Sequence, residues 1–348
     1  MMKLFFSVSV ILLFLFPFLL LNATEPEVKE NRPFIRIGFY NTENYFDPFT
    51  DTLSDYHEFD PGGIRHWDMA RYRIKQQHIF KVIAAMGGWH GMDVMAFAEI
   101  ENRFVLEDLL KNTPLRREDY GIVHFESPDH RGIDVGMIYR KNVFHLLCSE
   151  AIPVRDTAGK IMRTRDILYV KGRVGTDTLH LFINHWPSRY GGLMTTVYKR
   201  IQAAKALIRV VDSVYQRRPE ARILIMGDFN ESLKDSGLQR VLQDADGGAL
   251  VALASHADFG LAGGTIRGMS GWSIFDRFLC SKNLLNPAGR MWVYDKSFHI
   301  FDAAFLLERD NKNMGQKPDR TYNGFAYHGG FSDHLPVYVN VAFENPGK

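Results

Sequence analysis

Asp228 and Asn230 stand two residues apart at the end of the apolar run Ile223-Leu224-Ile225-Met226-Gly227. In an extended segment that spacing puts both side chains on one face. A carboxylate beside an amide oxygen suits a hard cation or a phosphate-centred site, although a polar turn closing a strand uses the same residues. The design recurs along the chain. Phe331-Ser332-Asp333-His334-Leu335 sets a carboxylate able to hold a metal next to an imidazole, the side chain whose ordinary pKa lies nearest neutrality. Val94-Met95-Ala96-Phe97-Ala98-Glu99 places an acid after an apolar run, where a carboxylate is costly unless paired or metal-bound. Glu101, two residues on, also suits the first turn of a helix. Phe182-Ile183-Asn184-His185-Trp186-Pro187-Ser188-Arg189 ends a strand in an amide and an imidazole. Pro187 forces a turn there, and Arg189 has the fork that fits a phosphate. Trp186 offers a face for stacking on a base, but core burial is the commoner role. Asn41 with Glu43 and Asn44, and Asp276 within an apolar strand, complete the set. A buried Asp needs a partner; an imidazole in that role is fixed in its tautomer and made more basic.

These residues must be delivered by strand ends. Strand-like runs fall at 34–40, 94–98, 133–139, 168–174, 179–184, 223–226, 274–279 and 336–341, mixing alternating with wholly apolar patterns. Helices intervene. In 198–216 the apolar stripe Ile201, Ala204, Ile208, Val211 and Tyr215 leaves Lys199, Arg200, Lys205 and Arg209 for a solvated face. The segment 69–86 repeats the pattern through Ile79, Val82, Ile83 and Met86, and 103–111 reads as a shorter helix. The elements alternate without a strict βαβ rhythm, so two sheets packed face to face with helices outside suit them better than a doubly wound sheet. The stretches 46–66 and 282–330, rich in Asp, Gly, Asn and Lys, read as insertions that flank the motifs and shape a substrate groove.

Charge and targeting narrow the function. The 348 residues carry a formal net charge of only +2, which argues against a non-specific nucleic-acid coat but allows a local basic groove. Met1 to Lys3 is a short basic lead, 4–21 is almost wholly apolar, and Asn22-Ala23-Thr24 turns polar. This pattern predicts a signal peptide over 1–23, with cleavage after Ala23, and a linker over 24–33. An anchor spanning 4–21 is the alternative. Either way the body is translocated, to a periplasmic or secreted location, with membrane contact only through that segment if it is retained. The two cysteines, Cys148 and Cys280, lie in apolar runs; export permits a disulfide, and two buried thiols fit equally.

Taken in order, Asn41 with Glu43, Glu99, Asn184-His185, Gly227-Asp228-Phe229-Asn230, Asp276 and Ser332-Asp333-His334 resemble the motif series of the endonuclease/exonuclease/phosphatase superfamily. That superfamily includes deoxyribonuclease I, exonuclease III-type repair enzymes, inositol polyphosphate 5-phosphatases and bacterial sphingomyelinases. The resemblance runs from Phe34 to Val341. It implies an α+β, four-layer αββα sandwich of the deoxyribonuclease I type, as one domain over 34–343. It also implies a phosphoester hydrolase using Mg²⁺, with Mn²⁺ or Ca²⁺ as substitutes. Asn41, Glu99 and Asp333 would surround the metal. Asp228 and Asn230 would align phosphate and water, and His334, supported by Asp276, would contact the scissile phosphate or move a proton. His185 matches the branch resembling deoxyribonuclease I, which has a second catalytic His where the repair enzymes have Tyr. Arg131, in a Pro128–Val135 segment similar to exported bacterial members, joins Asn184 and Arg189 as a substrate contact. The expected substrate is DNA or RNA, with a small or lipid phosphoester as the alternative and no obligate protein partner. A sphingomyelinase would need an exposed apolar docking loop; none stands out, although 298–307 is apolar enough for one.

Overall fold

The computed structural model describes residues 33–50, 55–190, 192–245 and 249–344, without the side chains of 193–195. The expected signal peptide, and all of the expected linker but Pro33, lie outside the described residues. In chain order the strands of the first half are β1 (Phe34–Tyr45), β2 (Val94–Ile100), β3 (Tyr120–His124), β4 (Asp134–Arg140), β5 (His145–Ile152), β6 (Ile167–Val174) and β7 (Asp177–His185). The second half supplies β8 (Arg222–Asp228), β9 (Leu250–Ala252), β10 (Ala254–Ala257), β11 (Ile266–Gly268), β12 (Gly271–Ser273), β13 (Asp276–Ser281), β14 (Met291–Val293) and β15 (Ser297–Ile300). It ends with β16 (Leu307–Arg309), β17 (Gln316–Pro318), β18 (Tyr322–Asn323), β19 (Ala326–Tyr327) and β20 (Val337–Phe343). The helices are α1 (Met69–Gly87), α2 (Arg103–Asn112), α3 (Leu193–Arg217) and α4 (Ser236–Asp244).

Two sheets carry the architecture. One runs β10-β15-β20-β1-β2-β4-β3, with β14 also on β20; the other runs β5-β6-β7-β8-β13-β9. Side chains alternate across a strand, and β7 and β8 bury both faces. Leu181, Ile183, Leu224 and Met226 join the core between the sheets, with Phe278, Val94, Val337 and Val339. Phe182, Ile223 and Ile225 point the other way, into a second core with Ala203, Leu207 and Val211 of α3 and Leu238 and Val241 of α4. Ile79, Val82, Ile83 and Met86 of α1 cover the opposite side of the first sheet's core. The result is the αββα sandwich that the motif order implied.

Several local expectations change. The stretch 282–330 is not wholly an insertion: β14 and β15 pair antiparallel with β20 and extend the first sheet. Segment 298–307 is no exposed docking loop, since Phe298, Ile300, Phe301, Ala303 and Leu306 are all buried. Arg200 is not on the solvated face of α3; it is buried and pairs with Glu231 at 2.9 Å. Both cysteines are free thiols, but only Cys280 is buried, and Cys148 on the edge strand β5 is exposed. Among the described residues no helix is long and apolar enough to cross a membrane.

Candidate active site

Three neighbouring strands of the second sheet bring one row of polar groups to a common level. β7 and β8 run parallel with His185 opposite Asp228, and β8 and β13 run antiparallel with Asp228 opposite Asp276. Asp228 continues the inward parity of Leu224 and Met226, so it faces the other sheet. Gly227 precedes it at φ 153, and a Cβ there would stand 2.1 Å from the Asn184 carbonyl oxygen. Only glycine fits that approach without strain.

The first sheet answers with kinked strand ends. β1 and β2 shift register between Asn41 and Tyr45, where Glu43 and Asn44 adopt φ 50 and 61. β2 and β4 shift register between Ala98 and Ile100, and Glu99, at φ 59, sits in that bulge. Such bulges re-aim side chains at sites, and left-handed backbone in non-glycine residues points to function. Asn41 Nδ2 donates to Asp228 Oδ2 at 3.1 Å, joining the two sheets. Glu99 Oε2 accepts from the Asn44 N–H at 3.1 Å. Its other oxygen, Oε1, lies 3.7 Å from Arg131 Nη2 and 3.7 Å from His185 Nε2, too far for hydrogen bonds.

His334 closes the row from the turn before β20. Its Nδ1 meets Asp276 Oδ2 at 2.8 Å, and its Nε2 stands 3.7 Å from Asp228 Oδ2. The two carboxylates therefore face opposite ring nitrogens, and the imidazole bridges them instead of sharing one coordination point with them. Burial alone would lower the His334 pKa, but Asp276 and Asp228 outweigh it and hold the imidazolium well above the ordinary range. His185 is the reverse: burial, then the charges of Arg165, Arg131 and His334, push it well below. Burial pushes the Asp228 carboxyl up to about 6, opposed by His334 and helped by Asp276. At neutral pH the cluster thus holds a neutral imidazole, a charged one, and between them a carboxylate close to its proton-exchange range.

The remaining expected residues divide. Asn230, at φ 51, gives its Nδ2 to the Trp186 carbonyl at 3.1 Å, and its own N–H holds Asp228 Oδ1 at 2.8 Å. Arg131, expected at the substrate, stands 3.7 Å from Glu99 Oε1. Asn184 does not face a substrate: it is fully buried, accepting from Trp186 Nε1 at 3.1 Å and donating towards backbone carbonyls of β7 and β8. Its amide braces the strand ends. Trp186 is core. Arg189 is spent on the Asn230 carbonyl, at 2.8 Å, and Asp235, at 2.7 Å. It holds the loop after β8 and is not a free phosphate fork. Asp333, expected at the metal, has one oxygen engaged: its Oδ2 pairs with Arg320 Nη2 at 3.0 Å.

Arg320 also binds Glu43 Oε1, at 3.0 Å. Beneath it Lys75, buried, donates to Thr321 Oγ1 and the Phe331 carbonyl. Burial raises Glu43 to about 7 and lowers Lys75 to about 8. This charged floor was not foreseen. Lys75 did carry a signal, standing four residues before Ile79 on the buried stripe of α1. Arg320 carried none, being one cation in the stretch read as insertion. Arg165 was also missed; it ties Asp129 at 3.0 Å to the Trp186 carbonyl at 2.7 Å, and so seats the Arg131 loop beside β7.

The comparisons with known proteins agree with this geometry. The model of the Endonuclease/Exonuclease/phosphatase family matches residues 36–343. No curated protein sequence matches. Among solved structures, an endonuclease/exonuclease/phosphatase family protein from Bacteroides thetaiotaomicron is 15% identical with a TM-score of 0.56, covering 90% of this chain and 96% of its own. The catalytic domain of human nocturnin, with bound sulfate, is 16% identical with a TM-score of 0.53, covering 90% and 96%. A mannosyl-6-phosphatase of Bacteroides thetaiotaomicron is 14% identical with a TM-score of 0.54, covering 89% and 100%. At such identities the likeness concerns the fold, while the family match spans the strand ends that carry every residue of the row. The chain belongs to the endonuclease/exonuclease/phosphatase family and is a phosphoesterase.

Proposed function

We propose that the protein is a divalent-cation-dependent phosphoester hydrolase centred on Asn41, Glu99, His185, Asp228, Asn230, Asp276 and His334. The observation that carries this reading is the row His185–Asp228–Asp276 across β7, β8 and β13, joined to the opposite sheet by Asn41 and closed by His334. The donor set suits a hard cation. Glu99 Oε1 lies near the Arg131 guanidinium and the neutral His185 ring without a hydrogen bond to either, and the buried Oδ1 of Asn44, whose N–H holds the other Glu99 oxygen, has no hydrogen-bond partner. Glu99, with Asn41 nearby, would hold a Mg²⁺-like ion, which tolerates few direct protein ligands. Mn²⁺ and Ca²⁺ are the substitutes. Bound there, the ion would neutralise charge on a non-bridging phosphate oxygen and on the leaving oxygen.

The protein groups supply the rest. Asp228 takes the proton of the attacking water, its raised pKa bringing it near working pH. The Asn230 amide oxygen orients that water. His334, held protonated by Asp276, donates from Nε2 to the phosphate or leaving oxygen. Neutral His185 provides a second proton-exchange group, and Arg131 offsets developing phosphate charge.

A nucleic-acid diester is the leading substrate, because two imidazoles, His185 and His334, flank Asp228 Oδ2 at 3.7 Å each, the arrangement that the resemblance to the deoxyribonuclease I branch implies. A specific observation favours the second reading, a small phosphoester. A cavity of about 390 Å³ shares Arg131 with the centre and is lined by Phe46, Phe49 and Asn102 together with Asp47, Glu101 and Glu126. That many carboxylates disfavour a continuing polyanion. Incubation with Mg²⁺, with and without chelator, of plasmid DNA, RNA, a chromogenic diester and sugar phosphates separates the two. Chelator-sensitive plasmid nicking supports the nuclease; turnover confined to small esters supports the second reading; absence of any chelator-sensitive turnover refutes the proposal. The leader-like 1–23 adds export to the proposal, and a mature protein beginning at Thr24 is the mass-spectrometric result expected of a cleaved signal.

A further inference from the structure

Away from the catalytic row, several imidazoles meet two carboxylates. At His124, Asp134 approaches Nε2 and Glu126 approaches Nδ1. At His299, Asp258 faces Nδ1 and Asp295 faces Nε2. In each case the two acids face different ring nitrogens, so neither nitrogen is shared by both. His328 differs. Asp319 Oδ1 stands 3.0 Å and Glu308 Oε2 3.3 Å from the same nitrogen, Nε2. One N–H satisfies one of them well and leaves the other carboxylate oxygen without a hydrogen at that point.

From this convergence we propose that Glu308, Asp319 and His328 form a second cation site, of Zn²⁺ type. Zn²⁺ binds imidazole nitrogen and carboxylate oxygen at nearly equal lengths, so the edges of its tetrahedron are about 3.3–3.4 Å. The two separations from Nε2, 3.0 and 3.3 Å, fall within a few tenths of that, and all three ligand atoms lie within 4.8 Å of one another. An imidazole with two carboxylates selects a borderline metal over Mg²⁺ or Ca²⁺, which take oxygen. Lys317 Nζ occupies the other oxygen of Glu308, at 3.1 Å, which leaves Oε2 as the single ligand atom. The side chains are 25–37% exposed, giving an ion and a completing water a route in.

The site would brace the C-terminal half of the catalytic centre. The Asp319 backbone carbonyl accepts from the N–H groups of Phe331 and Ser332, immediately before Asp333 and His334. Its neighbour Arg320 pairs with Asp333 and Glu43. His328 gives its N–H to the Thr321 carbonyl at 2.9 Å, and Glu308 sits on β16, paired with β17. A cation here ties three separate turns to the segment carrying His334.

The test is Zn²⁺ titration of the full chain against a chromophoric chelator, with His328→Ala, Glu308→Gln and Glu99→Ala in parallel. The expected result is one Zn²⁺ equivalent that survives Glu99→Ala and is lost in both His328→Ala and Glu308→Gln, with hydrogen exchange of 319–334 slowed by Zn²⁺ only where that equivalent binds. Equal Zn²⁺ binding with and without His328, loss of the equivalent in Glu99→Ala, or no Zn²⁺ binding by the unaltered protein overturns the proposal. Since Glu99 belongs to the other centre, failure here leaves the phosphoesterase reading standing, and the reverse also holds.

Discussion

The side chains around Asp228 divide their labour by charge state, and this fixes how activity responds to pH. Asp228 works as a carboxylate and His334 as an imidazolium, so hydrolysis should follow a bell. The acid limb falls as Asp228 protonates near pH 6, and the alkaline limb falls where His334 loses its proton, well above an ordinary histidine. Asp276→Asn removes the main group that raises His334, so the alkaline limb should move to lower pH while the acid limb stays. An unmoved alkaline limb in a pH–rate profile would separate Asp276 from His334. His334→Ala and Asp228→Asn should each lower turnover by about 10²–10⁴-fold with a native circular-dichroism spectrum, the usual scale for a lost acid or base. Asp228, Asn230 and Asp333-His334 were legible in the sequence because short spacing at the end of an apolar run is a local signal. The spent amide of Asn184 and the engaged fork of Arg189 were not: Asn184 is closed in by its near neighbour Trp186 as well as by β8, and the partners of Arg189 lie 41 and 46 residues away. A polar residue's type says what it can bond, not which bonds the fold has already filled.

At the level of elements, the centre depends on strand ends held in strained or crowded backbone. Gly227→Ala should destabilise the protein and displace Asp228, since the new Cβ meets the Asn184 carbonyl in a region that L residues avoid. A loss of about 1–3 kcal/mol in denaturant unfolding, with activity falling further than stability, is the expected pattern. The buried Arg200–Glu231 pair ties α3 to the loop just after Asn230. Glu231→Ala leaves the guanidinium buried and unpaired and should cost about 3–5 kcal/mol in the same measurement. His299 links β15 to Asp258 and Asp295, and these hydrogen bonds and charges raise it to about 9 although its burial opposes them. A raised histidine stabilises fully below its unfolded pKa, about 6.5. That contribution is therefore lost as pH rises through about 9, and His299→Gln should flatten the decline in thermal midpoint between those limits. The long alternating or apolar strands and α1 to α3 were readable from period alone. β5 was legible only as a strand-like run about Cys148, without bounds, because an exposed edge strand has no buried face to impose alternation. β14 and β15 were missed because three- and four-residue strands are set by their partner β20, not by their own composition.

Across the whole molecule, two sheets meet so that one end of the sandwich collects five strand ends and one turn into a single polar centre. The near-neutral net charge gives that centre little long-range pull on polyanions, so ground-state affinity for substrate should depend on the local arginines and on the cation. The αββα order was legible because hydrophobic period fixes layers. The course of 46–66 and 282–330 was not, because their Gly, Asp and Asn residues carry no period. The central claim is that Glu99 and Asp228, on opposite sheets, act as one cation-dependent centre. Its most direct test is the initial rate of a substrate found in the panel against Mg²⁺ concentration, for the unaltered protein, Glu99→Gln and Asp228→Asn. The account predicts a saturable Mg²⁺ dependence abolished by chelator, a Glu99→Gln curve displaced to at least tenfold higher Mg²⁺, on the order of one lost ligand, and an Asp228→Asn rate near zero at every concentration. Turnover that ignores chelator, or a Glu99→Gln curve that overlays the unaltered one, would contradict it.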